Sequence, residues 1–240
     1  MSEFRKYTRE ELVKFVRSMD RVIEEPTEIL VIGGAAAALK YGATASTKDI
    51  DTWHAVPRAV ARAAAEARAE TGLPVPIEKA GVSDGPYHYE DRIQTVSMRL
   101  KKLRILVPER HDLALMKVVR GDRHDEDMIA EIHAHQPLKL DVLLKRFEDE
   151  MGHVTKDERI LRTQFRALVS RLFGSEAARR VPSKRKQGPA GCAFRRRASA
   201  AEHLRAAADS RAKRRRRRRF ARSPAPRGCL RMWPSACSSP

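Results

Sequence analysis

Leu12, Phe15, Val16, Met19, Val22 and Ile23 recur at the three- and four-residue spacing of one helix face. Just ahead of them, Thr8-Arg9-Glu10-Glu11 has the spacing of a capping box, and Pro26 ends the run. A short apolar stretch at 28–32 predicts a buried strand, closed by Gly33-Gly34. The alanine-rich segment 35–41 reads as a helix with Gly42 as its C-terminal stop. A second strand is predicted at 49–53, followed by an amphipathic helix over 57–71 with Pro at its start and Gly72 past its end. The Gly-, Pro- and polar-rich 81–89 predicts a loop, and 93–100 with 103–107 predict two strands, a hairpin about Lys101-Lys102. From there the period is helical, at 111–119, 125–134, 137–151 and 155–173. The order implies an α/β (α+β) fold, a small sheet flanked by helices and then a helical C-terminal part. Three regions are expected: an α/β domain over 1–135, helices packing on it over 136–180, and a tail over 181–240.

Charge sharpens that last boundary. The 240 residues carry a formal net charge of +18, but 181–240 alone holds 18 basic and 2 acidic residues. That leaves 31 of the 49 basic and 29 of the 31 acidic residues to 1–180, a nearly neutral body. The tail is rich in Arg, Ala, Ser and Pro, with seven consecutive basic residues at 213–219. It has too little apolar surface to offset its ordering entropy, so it is expected to be disordered. Three readings stay open for it: an arm contacting RNA or DNA phosphates, a solvated extension, or the product of a shifted reading frame. The longest apolar run, 29–39, is interrupted by Gly33-Gly34 and falls short of the ~20 residues of a membrane span. Residues 1–9 are charged, without a stretch of signal-peptide type. Cys192, Cys229 and Cys237 all lie in the tail, so the body has no disulfide framework or CxxC zinc site. A cytoplasmic location without membrane contact is expected.

The chemistry concentrates in Ile32-Gly33-Gly34, fourteen further residues, then Asp49-Ile50-Asp51. Side chains two apart on a strand share a face, so Asp49 and Asp51 project together. Two adjacent carboxylates repel, and a hard divalent cation relieves this; Mg²⁺ takes one or two carboxylates and completes its shell with water and phosphates. A Gly-Gly turn leading into a helix brings backbone N–H groups close to phosphate oxygens. An Asp-x-Asp alone is commonly solvated and a Gly-Gly alone commonly a turn; their order on strand, helix and strand is far more specific. His111, His124, His133 and His135 lack a spacing that suits zinc. Trp53 and His54 either line a base pocket or, the commoner fate of such a Trp, pack in the core.

With Thr47-Lys48-Asp49-Ile50-Asp51 after Ile32-Gly33-Gly34, the chain resembles the nucleotidyltransferase (polymerase-β-like) superfamily. More narrowly it is similar to bacterial domains related to abortive-infection (AbiEii-type) toxins. The block from Leu113 to Lys117 and from Arg120 to Ile129 resembles the later Lys and basic-acidic helix of those proteins; nothing in the tail does. The resemblance implies a mixed sheet of nucleotidyltransferase type and transfer of a nucleoside monophosphate from an NTP to a hydroxyl on tRNA, a protein or a small molecule. A toxin–antitoxin role with an antitoxin partner follows by the same analogy. It implies Mg²⁺ (or Mn²⁺) on Asp49 and Asp51, and nucleotide phosphates on Gly33, Gly34, Ser46 or Thr47, and Lys48. Lys117 would face phosphate or aid proton transfer, in a two-cation clamp with Arg120 at i,i+3, and Asp127 would be a late carboxylate beside it. Lys117 reads equally as a surface lysine, and Asp125 to Asp127 as a solvated helix start suited to the helix dipole. One departure stands out. Members of the superfamily usually carry a third carboxylate on a later strand, and 93–100 offers none, with Glu90 and Asp91 only ahead of it. That leaves open a nucleotide-binding or partner-binding module with weak turnover, and separately a nucleic-acid-binding protein acting through the tail.

Overall fold

The computed structural model of the protein describes residues 5–44, 47–81 and 84–183. The expectations for 181–240 fall, after Ser183, outside the described residues.

The first helix, α1 (Arg9–Val22), starts as its pattern requires. Thr8 Oγ1 accepts the Glu11 N–H at 3.3 Å while Glu11 returns a carboxylate oxygen to the Thr8 N–H at 3.0 Å. Its apolar face packs on α3 (Arg58–Thr71) and α2 (Gly33–Tyr41). Strand β1 (Thr27–Leu30) runs parallel to β5 (Leu103–Val107), with Thr27 opposite Leu103, and β4 (Gln94–Thr95) is antiparallel to β5. Strand β2 (Ile50–Thr52) pairs in parallel with β3 (Ile77–Lys79). A bridge between Val31 and Thr52 joins the two sheets, carried by Ile32 N–H to Asp51 O and Trp53 N–H to Leu30 O, both 2.9 Å. The resulting order is β3-β2-β1-β5-β4, a small mixed sheet.

Two expectations change here. The hairpin at 93–107 exists, but its first strand pairs over Gln94–Thr95 with one further bond from Val96 N–H to Ile105 O. Beyond it, Met98 and Leu100 turn back on Val96 and Met98, and Asp20 of α1 accepts the N–H groups of Lys101, Lys102 and Leu103 at 2.7–2.8 Å. The backbone there is satisfied by a side chain from another element, so no longer strand forms. Strand β3, between Pro76 and Ala80, was not expected at all. Only three residues long and largely exposed, it carries no alternating pattern to read.

Helix α4 (Arg110–Arg120) is buried from His111 to Val118 and serves two apolar clusters. Leu113 faces the sheet side with Ile105 and Val107, while Ala114, Leu115 and Val118 face the C-terminal helices. Those are α5 (Arg123–His135), α6 (Leu140–Glu150), α7 (Glu158–Phe173) and the short α8 (Ser175–Arg179). Phe147 and Phe165 stack at 4.0 Å between α6 and α7. At the root of α4, fully buried Asp112 accepts from Arg92 at 2.8 and 3.0 Å and from Arg146 at 2.9 Å. Such a carboxylate is tolerated inside only because both cations are fixed around it. The outcome is a largely buried central helix that carries Lys117 and Arg120 in its last turn. No helix among the described residues is long and apolar enough to cross a membrane.

Candidate functional site

Strand β2 turns Ile50 and Thr52 into the core and leaves Asp51 half-buried on the other face. The Thr52 hydroxyl is satisfied by the carbonyls of His54 and Glu78. Because Asp51 O accepts the Ile32 N–H, the backbone pairing that joins the sheets also sets Asp51 beside the start of α2. A methyl group on Gly33 would stand 3.2 Å from Asp51 Oδ2, and the backbone there has φ +68°, the left-handed region that glycine enters without strain. At Gly34 a Cβ would lie 2.7 Å from Thr47 Oγ1, so the loop of Thr47 and the helix start share one tight contact. Ile32 provides no side-chain cap for the first N–H groups of α2, and Gly34 of its first turn lines this space.

The space is a cleft of about 430 Å³ lined by Gly34, Thr47, Lys48, Asp49, Asp51, Lys117, Arg120 and Asp127, together with Lys6, Asp122, Asp125 and Met128. Residues far apart in sequence are thus brought to one place. Gly33 lies on the adjoining wall of a smaller, more apolar recess of about 190 Å³ that also reaches Asp51, Lys117 and Arg120. Ser46 lies outside the described residues. Burial pushes the Asp51 carboxyl above its ordinary value, and the Asp49 and Glu78 carboxylates add to this while Lys117 and Arg120 oppose it. Paired oxygen donors beside an uncapped helix start suit a hard divalent cation carrying phosphates, which takes few protein ligands. No group of three or more His, Cys, Asp or Glu among the described residues forms a cage for a metal by itself.

Lys117 is not a surface lysine: it is 7% exposed, and its Nζ donates to Asp125 Oδ1 at 2.7 Å. Asp125 is equally buried, and among the described residues its Oδ2 receives no hydrogen bond, with Arg120 Nε 3.7 Å away. Asp127 stands at the exposed rim, paired with Arg171 of α7. Three contributors were not read from the sequence. Lys6 reaches the cleft because Tyr7 bridges Thr47, a pairing across forty residues. Asp125 was read only as part of a helix start. Glu78 sits opposite Asp51 in the parallel register of β2 and β3, so the two side chains leave the same face. Residues 93–100 carry no acid, and the carboxylate in register with Asp51 lies on β3 instead.

The remaining candidates have other employment. Trp53 packs on Tyr89 at 4.7 Å in a small cluster with Leu30 and Met116. His111 Nε2 accepts the Lys139 N–H at 2.8 Å, and His133 Nδ1 accepts the Leu138 N–H at 3.1 Å.

A mixed sheet with a Gly-Gly helix start and an Asp-x-Asp strand meeting at one cleft is the arrangement of a nucleotidyltransferase domain. Comparison with known families agrees: residues 10–171 match the family described as "Nucleotidyltransferase of unknown function (DUF6036)", and the chain belongs to it. No curated protein and no solved structure matches the chain.

Proposed function

We propose that the protein transfers a nucleoside monophosphate from an NTP to a hydroxyl on an RNA such as tRNA, a protein or a small molecule. The observation that carries this is the juxtaposition of the Gly33-Gly34 helix start with the Asp51 carboxylate, 3.2 Å from where a Gly33 side chain would begin. Asp49 and Asp51 would hold Mg²⁺ or Mn²⁺, which when bound neutralises charge on the phosphates. The backbone N–H groups at Gly33 and Gly34, with Thr47 and Lys48, hold phosphate oxygens through the helix dipole and hydrogen bonds. Lys117 and Arg120 approach Asp51 from α4 and offer a second set of cations to the reacting phosphate.

The acceptor oxygen attacks the α-phosphorus, the bond from that phosphorus to the bridging oxygen of the β-phosphate breaks, and pyrophosphate leaves. The hydroxyl proton passes to a carboxylate. We assign Glu78, since Asp125 is engaged by Lys117 and Asp127 by Arg171. The sequence resemblance to abortive-infection toxins extends the same proposal: the full chain would arrest growth when expressed alone, an antitoxin partner would relieve the arrest, and an Asp49→Ala/Asp51→Ala form would be harmless.

The test is incubation of the full chain with each labelled NTP, Mg²⁺ and cell extract. Label should move to a macromolecule or small acceptor, and Asp49→Ala/Asp51→Ala should abolish it. Nucleotide binding without transfer under all four NTPs would overturn the enzyme and leave a binding module of the same fold.

A further inference from the structure

Lys6 enters the cleft from a part of the chain that no nucleotide-binding pattern covers. It is exposed, one residue before Tyr7, which is only 2% exposed. Tyr7 exchanges backbone hydrogen bonds with Thr47, at 2.7 Å from its N–H and 3.2 Å to its carbonyl. On the other side of Lys6, the Arg5 guanidinium lies 5.4 Å over the Tyr7 ring and pairs with Glu11 at 2.7 Å. The capping box at Thr8 then fixes where the segment joins α1. Lys6 is therefore carried on a strap anchored before and after it. In extended backbone the buried Tyr7 ring and the Lys6 side chain leave opposite faces.

The strap is stitched to Thr47, which itself touches Gly34, so Lys6 arrives at the helix-start end of the cleft. Lys117 and Arg120 approach Asp51 from α4. The charge balance makes each cation count. Five carboxylates line the cleft against Lys6, Lys48, Lys117 and Arg120. Lys117 is committed to Asp125, whereas among the described residues Lys6 has no ion-pair partner. A polyanion entering a cleft with more carboxylates than cations needs a cation placed where its charge is densest. A lysine ammonium, a compact point charge, suits phosphate oxygens.

We propose that Lys6 is a binding residue for the β- and γ-phosphates of the incoming NTP, and so for the pyrophosphate that leaves. The strap through Tyr7 and Thr47 makes the N-terminal segment part of the nucleotide site. This rests on the nucleotidyltransferase reading above, and its test separates the two.

Full-length wild type, Lys6→Ala and Lys6→Arg are titrated calorimetrically with Mg²⁺ and, in separate runs, each NTP, the matching NMP and inorganic tripolyphosphate. Losing one charge-assisted phosphate contact should weaken Lys6→Ala binding of NTP and tripolyphosphate about tenfold or more. NMP affinity and the melting temperature should not move, and Lys6→Arg should recover most of the loss. If wild type binds NTP and Lys6→Ala binds it equally, or loses NTP and NMP alike, the assignment is overturned while the nucleotidyltransferase reading stands. Wild type that binds neither NTP nor tripolyphosphate overturns both.

Discussion

Lys117 Nζ stands 2.7 Å from Asp125 Oδ1, and at most a tenth of either side chain meets solvent. The pair ties the last turn of α4 to the first turn of α5 across the break at Gly121, and it does so on the wall of the cleft. Its Coulombic attraction offsets a desolvation cost that neither charge could carry alone.

Removing one partner should therefore cost more than removing both. Asp125→Ala strands a buried ammonium and should lower stability by about 3 kcal/mol, the low end for such pairs because the cleft admits some water. Lys117→Met with Asp125→Leu should recover most of that in urea denaturation while nucleotidyl transfer stays lost. Equal destabilisation by the single and double changes would show that the pair is not coupled.

Gly34 makes a different demand, on space. A Cβ there would press on Thr47 Oγ1 at 2.7 Å and Thr47 Cβ at 2.9 Å. Gly34→Ala should cost about 1–3 kcal/mol, as overpacking does, and reduce NTP affinity. Trimming Thr47 to Ala leaves its Cβ in the way, so Thr47→Gly should rescue the fold far better. Denaturation midpoints of the two double mutants decide this.

Asp20 supplies the clearest pH dependence. Burial works against its charge, yet N–H groups from Leu103, Lys101 and Lys102 hold its carboxyl below the ordinary 3.8. A group depressed in the folded state contributes stability above its unfolded pKa and loses it as pH falls through the folded one. Stability should thus be constant down to about pH 4 at this site and decline below it. Asp20→Asn should be less stable at pH 7, by about 1–3 kcal/mol for a damaged buried acceptor, and should flatten the acid limb. Midpoints in urea from pH 7 to pH 2.5 measure both.

Glu78, assigned as the proton acceptor, should be needed for turnover and not for capture of the nucleotide. Glu78→Gln should lower kcat about a hundredfold or more, within the usual range of general-base catalysis, and leave NTP affinity within about twofold. Loss of affinity instead would place Glu78 in the binding set.

Where local chemistry decides the outcome, the chain was readable. The capping box at Thr8 and Glu11, the Gly42 and Gly72 stops and the helical period of α4, α6 and α7 act within a few residues, so pattern and structure coincide within a turn. Helix α6 begins three residues after the expected position, at Leu140, where the extended backbone of Lys139 forms the N-cap and its N–H is held by His111. The short strands were the weak point. The end of β4 was decided by Asp20, more than seventy residues away, and β3 is too brief and exposed to mark itself.

The same division runs through the site. By itself the sequence determined the strand–Gly-Gly–helix–strand–Asp-x-Asp order and the Lys117, Arg120 pair on one helix face, since each depends on spacing within one element. Only the tertiary structure decided that Lys117 is a buried cation held by Asp125, that Glu78 stands in register with Asp51, and that Lys6 reaches the cleft beside Gly34 and Thr47. Those three relations are made by strand pairing and helix packing between segments distant in the chain, where the free energy of closing a long loop is offset by contacts that no single segment contains.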